Sequence, residues 1–290
     1  MKIICFLILI FTYQLGSSKS NDSPNLDFKK VQSQSWNEWK KDLKKTLKKE
    51  NFSDSTLDLL DEINFNPKVI EYDRKQPEFK LTFEKYLQRN INEQKKKDIN
   101  KIYKQNKELL LLLSEKFKVN PTILVSLWGI ETSFGKHIGK LDILRSLLSL
   151  AYDGRRQKFF MKEFKLALKI LEEGHVSPKD FKGSWAGAFG QTQFMPSTFH
   201  KFAIDFDNDK KINLFKKSDA LASGANYLNQ VGWNNNLLWG EEVKIIITDK
   251  LKNLSKKKKY KTKKFWEKNG ISFKNNYNDR VQMRLVIPDL

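Results

Sequence analysis

From position 121 to 130 the chain carries Ile123, Leu124, Val125, Leu127, Trp128 and Ile130, which puts apolar side chains on nearly every face of a helix. Such a helix must be enclosed by other elements, so the sequence demands a fold with a buried central helix. Its start is marked by Asn120-Pro121, an N-cap acceptor followed by a proline whose missing N–H costs nothing in the first turn. The flanking sequence supplies elements to enclose it. Residues 28–118 read as helical and surface-rich. Trp36 and Trp39 precede a lysine-rich amphipathic stretch, and Ser53-Asp54-Ser55 opens another that carries Leu57, Leu59, Leu60 and Ile63. Asn66-Pro67 breaks that one, and the chain is expected to be extended around residues 76–79. Thr82 then starts a helix with Phe83, Tyr86 and Leu87, and residues 109–113 open an apolar segment ending near Val119. With 290 residues and 39% hydrophobic content, a large core is available, which excludes a disordered chain despite 30% charged residues.

Beyond the central helix, residues 183–196 (GSWAGAFGQTQFMP) form a loop of small residues, and Pro196-Ser197 can begin a helix. An acidic island follows at 205–219, then a helical stretch at 220–230. From Trp233 the pattern turns strand-like, with a β-branched run at 243–247 and a lysine-rich insertion at 255–264. No repeat and no Gly/Ser linker separates these parts. The expectation is an α+β chain that is predominantly α-helical: a helical part over 21–118, a core over 119–232, and a small β-containing part over 233–290.

The first twenty residues read as an address. Lys2 precedes nine apolar residues at 3–11, and small residues follow at Gly16, Ser17, Ser18 and Ser20. That is the layout of a secretory signal peptide, too short to span a bilayer stably. An uncleaved anchor is the other reading. Cys5 begins the apolar run, the wrong place for a lipid-modified cysteine. As the only cysteine, it also leaves no disulfide framework, zinc knuckle or thiol nucleophile. The net charge is +20, and 7 of the 54 basic residues are arginine, leaving 47 lysines. Readers of nucleic acid lean on arginine forks, so the lysine excess argues for a compositional bias rather than nucleic-acid binding.

Three places could carry chemistry. Glu131 stands at the C-terminal end of the apolar helix, where burial and the helix dipole both disfavour a carboxylate and raise its pKa, as a general acid requires. The alternative is a glutamate that only marks the helix end and faces water. In the loop, Gly183–Gly190 lacks the trailing Lys-Ser/Thr of a phosphate loop, and Gln191 and Gln193 offer donors and acceptors that suit a sugar. A tight turn between helices remains equally open. Asp205, Asp207 and Asp209 alternate like positions 1, 3 and 5 of a calcium loop, with Asp219 beyond. Lys210 and Lys216 stand where such a loop wants Gly and Glu, and an acidic helix start is the alternative. His137, His175 and His200 show no metal spacing.

The blocks GIETSFG (129–135), GRR (154–156), GSWAGAFGQTQFMPS (183–197), DFDNDKKINLF (205–215) and ANYL (225–228), backed by DRKQPEF (73–79), occur in one order. In that order the chain resembles a lytic murein transglycosylase of the B type, over roughly 28–290. The resemblance implies a lysozyme-like catalytic core and a periplasmic enzyme that cuts peptidoglycan between N-acetylmuramic acid and N-acetylglucosamine, leaving 1,6-anhydromuramyl ends. It implies that Glu131 acts as both acid and base and that Ser184 positions the acetamido group. Gln193, Tyr227, Tyr86, Arg155 and Arg156 would line the saccharide and peptide groove. Asp205, Asp207, Asp209 and Asp219, with the carbonyl of Lys211, would form a calcium loop. No cofactor is implied for the chemistry, calcium would be structural, and the partner would be glycan strands met by a monomer. Family members continue past the point matching residues 286–288 into a segment with a Tyr-Asn pair. The resemblance therefore also admits an alternative in which the chain binds peptidoglycan with impaired turnover.

Overall fold

The computed structural model describes residues 34–75, 82–238 and 240–288. The signal-peptide reading and the stretch at 76–79 lie outside these residues. Among them the chain forms thirteen α-helices and four two-residue strands, so it is α+β and predominantly helical. The described residues divide into two compact units. One comprises 34–75 together with 88–234; the other comprises 82–87, 235–238 and 240–288.

The larger unit begins with α1 (Trp36–Lys49), α2 (Asp54–Glu62) and α3 (Pro67–Lys75). Ser35 caps α1 through a capping box with Glu38, which places Trp36 and Trp39 inside the helix rather than ahead of it. Trp39, Leu43 and Leu47 then recur every fourth residue and bury one stripe. Ser53 caps α2 with its side chain alone, accepting from Thr56 N. These three helices share a core with α8 (Ile143–Asp153) and α9 (Gln157–Glu172), around Phe160, Phe164, Leu147 and Leu168. A second core in the same unit joins α6 (Lys107–Phe117), α7 (Pro121–Thr132) and α11 (Lys217–Gln230) through Leu110, Leu113, Leu124, Val125, Trp128 and Leu221. Ile99 and Ile102 of α5 (Glu93–Gln105) pack on it.

The sequence reading expects α7 to be the enclosed helix. The structure differs: α8 buries eight of its eleven residues, whereas α7 buries one side and leaves Ile130 37% exposed. Two small serines, Ser146 and Ser149, interrupt the apolar pattern of α8 without breaking its burial. Ser149 Oγ accepts the Asn66 N–H at 2.9 Å. The uncovered apolar surface of α7 lies on the helix that carries Glu131.

Between α7 and α8 the chain forms β1 (Leu141–Asp142), which pairs antiparallel with β2 (Lys182–Gly183). Bridges from Gly183 to Phe189 and from Phe189 to Phe194 fold the small-residue loop back on itself. The loop then enters α10 (Pro196–Phe202), with Pro196 in the first turn.

The smaller unit contains part of α4 (Phe83–Asn90), then α12 (Asp249–Lys256), β3 (Lys261–Thr262), α13 (Lys263–Glu267) and β4 (Gln282–Met283). Its core is Val243, Leu251, Trp266, Ile271, Leu285 and Ile287. Trp266 Nε1 of α13 donates to the Met283 carbonyl of β4 at 2.9 Å, beside the antiparallel β3–β4 pair. The β-branched run at 243–247 is irregular apart from one bridge position at Val243. Alternation alone gives it no partner strand to join. The lysine-rich stretch at 255–264 is not an open loop: Thr248 and Thr262 cap α12 and α13, and Leu251 anchors α12 in the core.

No helix among the described residues is long and apolar enough to cross a membrane.

Candidate active site

Glu131 sits in the last turn of α7. Asn120 Oδ1 accepts the Thr122 N–H at 2.9 Å and fixes the start of the helix, as Asn120-Pro121 predicts. The end is more unusual. Ser133, Phe134 and Gly135 follow with φ of 49°, 63° and 81°, three left-handed residues in a row. Non-glycine residues hold that region only where neighbours over-determine them, and such strain gathers at functional positions. Here the Phe134 N–H reaches back six residues to the Trp128 carbonyl at 3.2 Å. Its ring meets Trp128 edge-on at 5.6 Å. The same ring covers Gly129, where a Cβ would come within 2.8 Å of it. Glycine at 129 is what lets the chain fold back immediately after the glutamate.

The Glu131 side chain is half-buried, and no hydrogen bond or ion pair among the described residues reaches its carboxyl. Burial alone pushes its pKa from the ordinary 4.5 to about 7. A carboxyl in that state is protonated in a useful fraction near neutral pH.

The small-residue loop lies against the segment that follows α7. A Cβ on Gly139 would stand 2.2 Å from the Gly183 carbonyl carbon and oxygen and 2.8 Å from Ser184 N. Ser184 organises the loop: its N–H donates to the Ala188 carbonyl at 2.7 Å, and its Oγ accepts the Ala188 N–H at 3.0 Å. Gln193 spends its Nε2 on the carbonyls of Ile138 and Gly190, each at 2.9 Å. Gln191 is engaged at both ends of its amide by Trp128 and Phe215. The two glutamines that suit a sugar on composition thus act first as ties between the loop and its surroundings. Tyr227, on α11, packs edge-on to Phe202 at 4.9 Å and Phe194 at 6.0 Å, which places it behind the same loop.

Arg155 and Arg156 stand at the turn between α8 and α9. Asp73 of α3, 2% exposed, engages both: Arg155 Nε at 2.8 Å on one oxygen and Arg156 on the other. Arg156 also stacks 4.7 Å from the Phe160 ring centre. Asp73 orients the pair, a role that spacing alone does not reveal, although the DRKQPEF block contains it. Tyr86 belongs to the smaller unit.

The acidic loop brings Asp205, Asp207 and Asp209 together, with one oxygen of each within 4.8 Å of the others. Lys210, at the position that favours glycine, adopts φ 69°. Asp219 is fully buried beneath the loop and accepts the N–H groups of Phe206 at 3.1 Å and Asn213 at 2.8 Å. Burial pushes its carboxyl above the ordinary range, and the two backbone bonds offset part of that. Lys211 donates its N–H to Asp209 Oδ1 at 2.9 Å. The residues fit a hard cation: Asp205 Oδ1 is buried with no hydrogen-bond partner, and the donor set is all oxygen. Lys216 brings its ammonium to both Asp207, at 3.4 Å, and Asp209, a monovalent neighbour for the cluster.

Glu131 is thus a half-buried carboxyl in the last turn of α7 with no hydrogen-bond or ion-pair partner among the described residues, on a helix tied to the end of the glycine-rich loop by Gln191. The match to the family described as Transglycosylase SLT domain (SLT_2) spans residues 35–290, and the chain belongs to that family. It is 40% identical over 118 residues to the membrane-bound lytic murein transglycosylase B of Escherichia coli strain K12, covering 40% of this chain and 33% of that protein. Among solved structures it resembles SltB3 from Pseudomonas aeruginosa in complex with NAG-NAM-pentapeptide. That match has a TM-score of 0.76 and 34% identity, over 82% of this chain and 64% of the other. It also resembles Escherichia coli Slt35 in complex with calcium, with a TM-score of 0.58 and 27% identity, over 81% and 70% of the two chains. The chain thus spans about a third of the curated relative and 64% of the SltB3 chain.

Proposed function

We propose that the chain is a lytic murein transglycosylase with Glu131 as its one acid and base. The observation that carries this reading is the half-buried Glu131 carboxyl, which no hydrogen bond or ion pair among the described residues reaches and whose pKa burial pushes up to about 7. Most glycosidases pair two carboxylates, one acid and one nucleophile or base. With one, the nucleophile must come from the substrate. Glu131 gives its proton to the glycosidic oxygen as the C1–O bond breaks, releasing the N-acetylglucosamine hydroxyl. The muramyl acetamido oxygen closes on C1 and spreads the positive charge. Glu131, now carboxylate, takes the proton of the muramyl 6-hydroxyl, and O6 displaces the acetamido oxygen to form the 1,6-anhydro ring. The cycle ends with Glu131 protonated again and no water consumed.

In this reading Ser184 positions the acetamido group. Gln193 and Tyr227 contribute to the saccharide groove, and the Asp73-oriented Arg155 and Arg156 meet the peptide stem. The chemistry asks for no cofactor. The protein acts outside the cytoplasm, where its polymer is. Incubation of the purified chain with intact sacculi is expected to release anhydro-muropeptides. Release of reducing muramyl ends would mean a hydrolase, and binding without release a non-catalytic module.

A calcium ion held by Asp205, Asp207 and Asp209, with the Lys211 carbonyl and Asp219 completing the loop, would act as a structural clasp. Millimolar calcium is expected to raise the melting temperature by mass action on the folded state, and Asp207→Ala to remove the response. Affinity is expected at the weak end for such loops, about 10⁻⁴ to 10⁻³ M. Lys216→Gln removes the competing ammonium and should tighten binding. No shift at millimolar calcium in the wild type or in Lys216→Gln would overturn the calcium reading.

A further inference from the structure

We propose that Gln191 is a positioning residue, which locks the last turn of α7 to the segment closing the acidic loop and so holds Glu131 in its water-poor place. The proposal rests on the reading of Glu131 as acid and base. Gln191 is buried and makes four hydrogen bonds, two to each side. Toward α7, its Oε1 accepts the Trp128 Nε1–H at 2.9 Å and its carbonyl accepts the Thr132 hydroxyl at 2.8 Å. Those two residues bracket Glu131, one turn before it and one residue after. Toward the acidic loop, its Nε2 donates to the Phe215 carbonyl at 2.7 Å and its N–H to the Leu214 carbonyl at 2.8 Å.

The network continues in both directions. Thr132 Oγ1 also accepts the Gly135 N–H at 3.0 Å, pinning the left-handed turn that ends the helix. Phe215 donates its N–H to Asn213 Oδ1 at 2.9 Å, and Asn213 donates its own to the buried Asp219. A hydroxyl–carbonyl bond and an indole–amide bond fix both the height and the rotation of the turn bearing Glu131. The Glu131 carboxyl makes no hydrogen bond among the described residues, so its placement depends on this frame. Gly135 shows how closely the parts fit, since a Cβ there would lie 2.6 Å from Gln191 Oε1.

The test uses Gln191→Met, which keeps length without polar atoms, with Thr132→Val and Thr132→Ser, which remove and keep the hydroxyl. Turnover is measured on sacculi. In parallel, ¹³C-glutamate-labelled protein is titrated by NMR, with Glu131→Gln identifying the Glu131 resonance. Gln191→Met and Thr132→Val are expected to lose about 10²-fold in kcat with KM nearly unchanged, the usual consequence of misplacement by about 1 Å. In both, the Glu131 midpoint should fall from about 7 toward its ordinary value of 4.5, because a loosened turn admits water. Thr132→Ser should restore both. If Gln191→Met folds and leaves kcat and midpoint where they were, Gln191 is packing only and the proposal is wrong. If it does not fold, equal midpoints in Thr132→Val and Thr132→Ser overturn the proposal. Should the wild type release nothing from sacculi while the midpoint still falls in the variants, the functional reading fails and the positioning role stands.

Discussion

Glu131→Gln is expected to abolish release of anhydro-muropeptides while making the protein more stable above neutral pH. The first effect follows from the proposed mechanism, in which one group serves both proton transfers. General acid–base help is worth about 10² to 10⁴-fold, and the upper part of that range or more applies when no second carboxylate can substitute. The stability effect follows from linkage. The folded-state pKa, about 7, lies above the ordinary 4.5, so between those values the folded protein binds more protons than the unfolded chain. Stability from this group is complete below pH 4.5 and is lost as pH rises through 7. The difference corresponds to about 3 kcal/mol at most, at 1.36 kcal/mol for each pKa unit. Glutamine has no charge to desolvate, so the variant should match the wild type at pH 4 and exceed it at pH 8. Denaturant melts at the two pH values, beside the sacculus assay, read both effects. An active isostere would sink the catalytic assignment. An inactive one with no gain at pH 8 would mean that the carboxyl is better solvated than its burial implies.

That trade between stability and a poised carboxyl explains why the site was partly legible in the sequence. Asn120-Pro121 and Glu131 mark the two ends of one apolar helix, and both the cap and the raised pKa follow from local chemistry. The position of α7 did not follow, because an exposed apolar surface reads in sequence like one facing a core. The enclosed helix is α8, whose Ser146 and Ser149 disguise it. Composition also could not separate Gln191 from Gln193 or foresee their ties to Trp128, Phe215, Ile138 and Gly190, because these bonds join residues far apart in the chain. Asp73 is the same kind of case: a buried carboxylate that matters only once the fold brings two arginines to it. His175 lacked metal spacing, yet it accepts the Ile212 N–H at 3.1 Å and supports the acidic loop from below.

Gly139→Ala is expected to be the most damaging single change to the folded state around the site. Two costs act at that position. Gly139 adopts φ 103°, where a Cβ is strained whatever the surrounding space, at about 1–3 kcal/mol. The added carbon would also stand 2.2 Å from the carbon and oxygen of the Gly183 carbonyl. These are backbone atoms of a loop held by Ser184, Phe189 and Phe194, so no side chain can swing aside, and overpacking adds about 1–3 kcal/mol or more. Together the penalty is about 2–6 kcal/mol, a large share of the 5–15 kcal/mol that holds a domain folded. Gly174→Ala is the matched control: its φ is 73°, yet nothing lies within 4 Å of its Cβ position, so it should pay the conformational cost alone. Relief of the clash requires the loop to move away from the segment after α7, carrying Ser184 with it. Turnover on sacculi should therefore fall even under conditions where Gly139→Ala remains folded, while Gly174→Ala should keep wild-type turnover. Equal denaturant midpoints for the two variants would show that the loop yields freely at Gly183, and that close packing behind Glu131 is not what holds Ser184 in place.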